Sequence, residues 1–257
     1  MIKNIIPAPF RKILARIYYC YYLIGIAKIK WYLGGIKIDN PKKIPIIINN
    51  FNRLEYLQKL INSLKTRGYN NIYIIDNNST YPPLLEYYKK TDVSVIRLNK
   101  NVGYKSIWET DIYNIFKKSY YVYTDADMEI DEECPDDFMQ KFIDILDKFP
   151  FSQKVGFGIR IDNLPDCYNL KQDVIKHESQ FWDNEKDSGV YKAMIDTTFA
   201  LYRPYCKGAA NCYYDVYRTG FPYVIRHLPW YQDSSNLSEE DKYYRNNILT
   251  STHWSKQ

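Results

Sequence analysis

The sequence predicts an α/β fold: a mostly parallel β-sheet flanked by helices, followed by a less regular C-terminal region. Three observations carry this. Short runs rich in Ile, Val and Tyr recur along the first half of the 257-residue chain, and apolar residues at helical spacing separate them. Each run also ends on a polar cluster. Strands apolar on both faces that alternate with amphipathic helices imply a parallel sheet covered on both sides, with right-handed crossovers.

The first strand is Ile46-Ile47-Ile48, after Lys42-Lys43-Ile44-Pro45 closes the preceding segment. Asn52 with Glu55 three residues on predicts a capping box, and Leu54, Leu57, Leu60, Ile61 and Leu64 form one helical stripe up to Gly68. Ile72 to Ile75 is the second strand, stopped by Asp76-Asn77-Asn78-Ser79 and Pro82-Pro83, with a short helix from Leu84 to Lys90. Val93 to Leu98 is the third, ending in Asn99-Lys100-Asn101-Val102-Gly103. Ile107, Trp108, Ile112, Ile115 and Phe116 mark the next helix, and Tyr120 opens a fourth strand that runs into Asp125 and Asp127. A helix carrying Phe138, Met139, Phe142, Ile143, Ile145 and Leu146 follows Pro135 and Asp136. Beyond Pro150, strands are predicted at Val155 to Ile161, Met194 to Tyr202, Tyr213 to Arg218 and Tyr223 to His227.

Composition bounds the function. The net charge of +5 is unevenly placed: residues 1–43 hold nine Lys or Arg and one acid, Asp39, so the arm is +8 and the remainder −3. The main domain therefore carries no nucleic-acid footprint. Residues 1–43 form a basic aromatic arm and residues 44–257 a single domain, with halves meeting near residue 130. Within the arm, Ile17 to Ala27 is uncharged, yet well short of the roughly 20 residues that span a bilayer. Neither a transmembrane helix nor a signal peptide fits. The arm suits an interfacial helix at anionic headgroups, and equally a helix packed on the domain or a homo-oligomer contact. Five cysteines (Cys20, Cys134, Cys167, Cys206 and Cys212) without a CxxC pair predict free thiols in a reducing compartment, hence a cytoplasmic protein; the interfacial reading of the arm would make it peripheral at a membrane surface.

The chemistry centres on Thr124-Asp125-Ala126-Asp127. Two acids one residue apart at a strand's exit can share one hard cation, Mg²⁺ or Mn²⁺, and leave coordination sites for substrate phosphates. In a sheet of this kind ligands bind beyond the carboxyl ends of the strands. Those ends are Asn49 to Arg53, Asp76 to Ser79, Asn99 to Gly103 and Asp125 to Asp127.

This set of loops, Ile48-Asn49-Asn50-Phe51-Asn52-Arg53, Asp76-Asn77-Asn78-Ser79, Asn101-Val102-Gly103 and Asp125-Ala126-Asp127, resembles the GT-A glycosyltransferases, closest to the family 2 type. The resemblance covers residues 44 to 130 and continues more loosely to the C-terminus. It implies a nucleotide-sugar donor, UDP-sugar first, and a divalent metal on the Asp-x-Asp motif. It also implies inverting transfer of a hexosyl or N-acetylhexosaminyl group to a hydroxyl of a glycan or glycolipid. By the same resemblance Asn50, Phe51, Asn52 and Arg53 hold the base and ribose, Asp76 meets the uracil imide in a donor-binding loop that includes Asn78, and Asn101 and Gly103 form the third donor loop. Asp127 is then the direct metal ligand, and Asp125 contacts ribose or reaches the metal through water. Arg226-His227-Leu228-Pro229-Trp230 looks like the late histidine of metal-dependent members, with His253 competing for that role.

The second half departs from the family pattern, because no clear Glu-Asp pair opening a helix is evident where inverting members keep their base. Asp196, a lone acid in Ile195-Asp196-Thr197-Thr198-Phe199, is the first candidate, and Asp183, Asp233 and Glu178 are alternatives. Trp182, Trp230 and Tyr231 suit an acceptor platform or core packing. A dinucleotide dehydrogenase is excluded by the lack of GxGxxG after the first strand. A sugar-nucleotide pyrophosphorylase needs a glycine-rich basic loop that Asn49 to Arg53 is not. A degenerate, carbohydrate-binding or scaffold domain is the non-enzymatic alternative.

Overall fold

A computed structural model describes residues 7–208 and 215–248. Among these, ten strands form one sheet. In chain order they are β1 (Ile46–Asn50), β2 (Ile72–Asp76), β3 (Ser94–Arg97), β4 (Tyr121–Asp125), β5 (Met128–Ile130), β6 (Ser152–Ile159), β7 (Glu185–Asp187), β8 (Val190–Lys192), β9 (Ala200–Tyr202) and β10 (Asp215–His227). They lie in the order β3-β2-β1-β4-β9-β6-β10-β8-β7, with β5 paired to β10. β1 to β4, β6, β7 and β10 run one way, and β5, β8 and β9 the other. The helices are α1 (Ala8–Arg16), α2 (Ile24–Gly34), α3 (Glu55–Thr66), α4 (Pro82–Tyr88), α5 (Ile112–Phe116), α6 (Phe138–Lys148), α7 (Lys171–Ser179) and α8 (Glu239–Asn247).

The pleat explains the apolar runs. Ile46 and Ile48 of β1 join Leu57, Leu60, Ile61 and Leu64 of α3 and Phe138, Phe142 and Leu146 of α6 in one core. Ile47, between them, points to the other face, where Ile75, Tyr121, Tyr123, Tyr202 and Phe116 pack. With helices on both sides, neither face of the central strands needs polar residues, and all five residues of β1 and all eight of β6 are buried.

Several expectations are corrected. The Asn52–Glu55 capping box does not form: α3 begins without a side-chain cap of its own, and Asn52 sits at φ 53° facing the second loop. The helix expected from Ile107 is ordered as α5 only from Ile112, because Tyr104 to Thr110 are held as turns against β4, with the Ser106 hydroxyl 3.0 Å from the Tyr123 hydroxyl. The strand expected at Met194 to Tyr202 is regular only at β9, since Asp125 and Lys154 draw the preceding residues into an irregular path. Two expected strands are one, β10, which passes Phe221 and Pro222 with a shift in register. The sequence patterns also missed β5, β7, β8, α7 and α8, which are short or too polar to show a period.

The arm is helical. α1, a π-helical stretch (Ile17–Leu23) and α2 run on without a break, and Cys20, Ile24 and Ala27 are buried. Arg16 pairs with Asp215 at 3.0 Å, Trp31 meets the edge of Tyr120 and the Ile36 N–H donates to Lys118 O. Of the three readings of this segment, packing on the domain is what one of its faces does. No described helix is long and apolar enough to cross a membrane. Cys134, Cys167 and Cys206 are free thiols, and Cys212 lies outside the described residues.

A lysine is buried in the sheet. Lys154 Nζ on β6 donates to Asp196 O at 3.0 Å and to the Tyr202 hydroxyl at 2.9 Å, and burial pushes its pKa down to about 7. In the unfolded chain a lysine holds its proton up to about pH 10.4. Between those values the unfolded state binds more protons, so stability on this group's account rises with pH from about 7 to about 10, by up to ~1.4 kcal/mol per pH unit. Below that window its contribution is flat. Lys154→Met should remove the rise, so that the melting temperature of the wild type gains on the variant between pH 7 and 10; a difference constant across that range would refute the assignment.

Candidate active site

The four strand ends converge at one edge of the sheet, and a polar network sets their loops. Asn52 tolerates its left-handed backbone because its short side chain bonds locally. Its N–H donates to Ser79 Oγ at 2.9 Å, and its Oδ1 accepts from Thr80 and Tyr81 N–H at 2.7 and 3.0 Å. Asn77, which sequence reasoning passed over, is the hub. Its N–H donates to Asn50 O at 2.8 Å, its Nδ2 to Gly103 O at 2.7 Å, and its Oδ1 accepts from Val102 N–H at 2.8 Å. One residue, through its main-chain N–H and its side-chain amide, thus joins three of the predicted donor loops. Gly103, at φ 80°, occupies backbone space that other residues rarely adopt, and its N–H is held by Asn101 Oδ1 at 2.8 Å.

Asp76 is fully buried and engaged: Arg97 Nε donates to it at 2.9 Å and the Tyr88 hydroxyl at 3.2 Å, with Ser79 N–H at 3.3 Å. Asn50 Nδ2 donates to the same Tyr88 hydroxyl and to Arg53 O. The group presented outward by this turn is Asn78, exposed at φ 63°.

At the fourth strand end, Thr124 is buried and bonds its neighbour's carbonyl, and Ala126 is buried beneath the turn. Asp125 Oδ2 accepts from the Thr197 hydroxyl at 2.5 Å, and the Asp125 N–H donates to Thr197 O. Antiparallel pairing of β5 with β10 sets Met128 opposite His227, so the imidazole Nε2 lies 3.5 Å from Asp127 Oδ2. The Leu228 N–H closes the same turn on Asp127 O at 2.8 Å. Burial, then the neighbouring Asp127 charge, hold the Asp125 carboxyl well above its usual range. Burial pushes Asp127 the same way, but His227 and the Arg53 guanidinium outweigh it and hold Asp127 below the usual range. The environment thus separates the two acids.

The expectation that no Glu-Asp pair opens a helix is overturned. Glu240 and Asp241 stand in the first turn of α8, where Ser238 caps the helix through the Asp241 N–H. Glu240 Oε2 accepts from the Leu54 and Glu55 N–H groups at 2.6 and 2.9 Å, supplying the cap that Asn52 does not. Asp241 is buried and ion-paired with Arg53, whose guanidinium also lies 3.8 Å from the ring centre of Tyr244. Phe51 meets the edge of the same ring. Arg53 is therefore a buried anchor between the first loop and α8. The signal was present as Ser-x-x-Asp, but the acidic run masked it.

The candidate bases separate. Asp196 is exposed, one residue before the Thr197 that holds Asp125, and its charge helps raise that carboxyl. Asp183 is exposed after a 3₁₀ turn, and Asp233 caps Ser235 at 2.9 Å. Glu178 is buried against Arg218 at 2.7 Å, a structural pair. Trp230 is 2% exposed and packs on the His227 ring, so it is core rather than platform. Trp182 lies against Tyr191, and the Tyr231 hydroxyl donates to Asn163 at 2.6 Å. His253 lies outside the described residues.

One family model matches the chain. The model of "Glycosyl transferase family 2" matches residues 46–196, more than half of the chain, from the start of β1 to Asp196. No curated protein matches in sequence. Among solved structures, the mannosyltransferase PcManGT from Pyrobaculum calidifontis, in complex with GDP-Man and Mn²⁺, is 13% identical over 85% of this chain and 67% of its own, with a TM-score of 0.48. TarS 1-349 from S. aureus is 13% identical over 72% of this chain, with a TM-score of 0.44. GalNAc-T7 with UDP, GalNAc and Mn²⁺ is 15% identical over 74%, with a TM-score of 0.46. The chain spans 60% of that TarS chain and 44% of that of GalNAc-T7. The family match, which begins at β1 and takes in the four loops at the strand ends described above, shows that the chain belongs to glycosyl transferase family 2, of the GT-A type.

Proposed function

We propose that this protein transfers a sugar from a nucleotide-sugar, UDP-sugar first, to a hydroxyl of a glycan or glycolipid, with a divalent metal and with inversion. The observation that carries the reading is that, of the buried polar atoms without a hydrogen-bond partner among the described residues, five stand on the first loop and on the Asp127–His227 turn: Asn50 Oδ1, Asn52 Nδ2, Arg53 Nε, Asp127 Oδ1 and His227 Nδ1. Buried polar groups are nearly always paired, so unpaired ones at the sheet's ligand edge support a polar ligand there.

The side chains proposed to meet Mn²⁺ or Mg²⁺ are Asp127, with its unpaired oxygen, and His227 beside it, while Asp125, held by Thr197, would act through water. Among the described residues no three His, Cys, Asp or Glu side chains group to hold a metal by themselves. This suits a cation that shares its shell with the donor's phosphates. Such an ion, when bound, offsets the charge that grows on the leaving nucleoside diphosphate. Arg53, fixed by Asp241, adds positive potential beside Asp127.

Asp196 is the proposed base, because the Glu240-Asp241 pair that opens α8 is buried and engaged by the Leu54 and Glu55 N–H groups and by Arg53, whereas Asp196 is exposed beside the Asp125 loop. As the acceptor oxygen attacks the anomeric carbon and the nucleoside diphosphate leaves, its proton passes to the Asp196 carboxylate. Asp196→Asn should lower transfer by about 10²- to 10⁴-fold with little change in donor binding. Unimpaired transfer would put the base elsewhere.

The direct test of the whole reading is thermal stability against UDP-, GDP-, CDP- and TDP-sugars, each with Mn²⁺ and with EDTA. A donor at about 100 times its Kd should add about 2.7 kcal/mol to stability. A metal-dependent shift with UDP-sugar is expected, and no shift with any donor would overturn the proposal.

A further inference from the structure

The arm helix has two apolar faces, and the domain uses only one. Cys20, Ile24 and Ala27 are buried, and Trp31 packs on Tyr120. Phe10, Leu14, Ile17, Tyr22, Ile29 and Leu33 are half to three-quarters exposed. At an ideal 3.6 residues per turn the second set would not share one side over this length. The wider π-helical stretch Ile17–Leu23 rotates the helix by roughly a third of a turn, which brings the exposed residues into one stripe opposite the buried ones. A contiguous apolar stripe on a soluble surface marks an interaction site.

Its flanks say with what. Arg11 and Lys30 border the stripe and are exposed, and no acid occurs before Asp39. Tyrosine is abundant along it, a residue with an apolar body and a polar tip that suits the boundary between acyl chains and headgroups. A second copy of the chain would bring two strongly basic arms together, which charge repulsion opposes. We infer that this face of the helix docks on an anionic lipid bilayer, lying in the interface with its basic flanks at the headgroups.

The placement has a geometric consequence. The helix crosses the end of the sheet where the parallel strands begin, touching Tyr120 before β4, Phe151 before β6 and Asp215 at the start of β10, and Ile36 just after it bonds Lys118 O. Asp125 and Asp127 lie at the opposite ends of those strands. A docked molecule therefore opens its donor site away from the lipid, toward an acceptor that stands off the surface.

The test is vesicle flotation of the full chain with phosphatidylcholine alone and with phosphatidylglycerol admixed, at low and high salt. Binding to the anionic vesicles only, weakened by salt, is expected. Leu14→Ser with Ile17→Ser and Leu33→Ser should lower the bound fraction at least ~10-fold, and Arg11→Glu with Lys30→Glu likewise. Both variants should keep the wild-type melting temperature, since neither set touches the domain core. No binding to anionic vesicles, or binding unchanged by both variants, would overturn the inference. So would light scattering that shows a dimer dissociated by the serine variant, which would assign the stripe to a second copy.

Discussion

Asp127→Ala should abolish metal-dependent donor turnover, by at least about 10²- to 10³-fold, or roughly 3–4 kcal/mol of transition-state stabilisation. The side chain offers an unpaired oxygen at the sheet edge, and no other described carboxylate stands beside His227. The fold should be untouched. Asp127's structural bond is made by its backbone carbonyl to the Leu228 N–H, which alanine retains. Removing its charge also relieves Asp125, so the melting temperature should hold or rise. Turnover assayed over a Mn²⁺ titration, beside a melting curve, checks both halves; near-normal turnover would remove the metal assignment.

The second large effect lies outside the metal pair. Asp241→Ala leaves Arg53 buried without its partner, and breaking one side of a buried ion pair costs about 3–5 kcal/mol. Asp241 also accepts from Gln232 at 2.9 Å and Ser238 at 2.7 Å, so α8 loses its seat on the first loop. For a protein of this size the melting temperature should fall by roughly 10 °C. Arg53→Met combined with Asp241→Leu should recover much of the loss, since an apolar pair removes the stranded charge. An Asp241→Ala variant within about 1 kcal/mol of wild type would show that the pair does not hold the helix.

The two effects differ in how far they could be foreseen. Asp125 and Asp127 are legible because the strand before them is an unbroken apolar and aromatic run, and the acids end it abruptly. The Arg53–Asp241 pair joins residues 188 positions apart, beyond any pattern window. The same holds for Asn77: as a polar residue in a turn it looks ordinary, and only its partners in two other loops reveal its work. Asp76 shows the reverse case. Its position at a strand end marks it as a ligand-facing acid, but Arg97 and Tyr88, both on later elements, close over it.

What the sequence by itself determined is what local period and strand endings encode. It predicted four parallel strands with their helices, the edge of the sheet that carries the polar loops, the acidic pair, and the basic arm. These follow from side-chain alternation and spacing, which are properties of neighbouring residues. Tertiary structure alone decided which distant groups meet. The β5–β10 register set His227 against Asp127, α8 brought Glu240 and Asp241 onto the first loop, and a π-helical stretch turned one side of the arm outward. Each is a contact whose free energy depends on burial and partner geometry rather than on residue type, and a short polar segment gives no sign of either until the chain has folded around it.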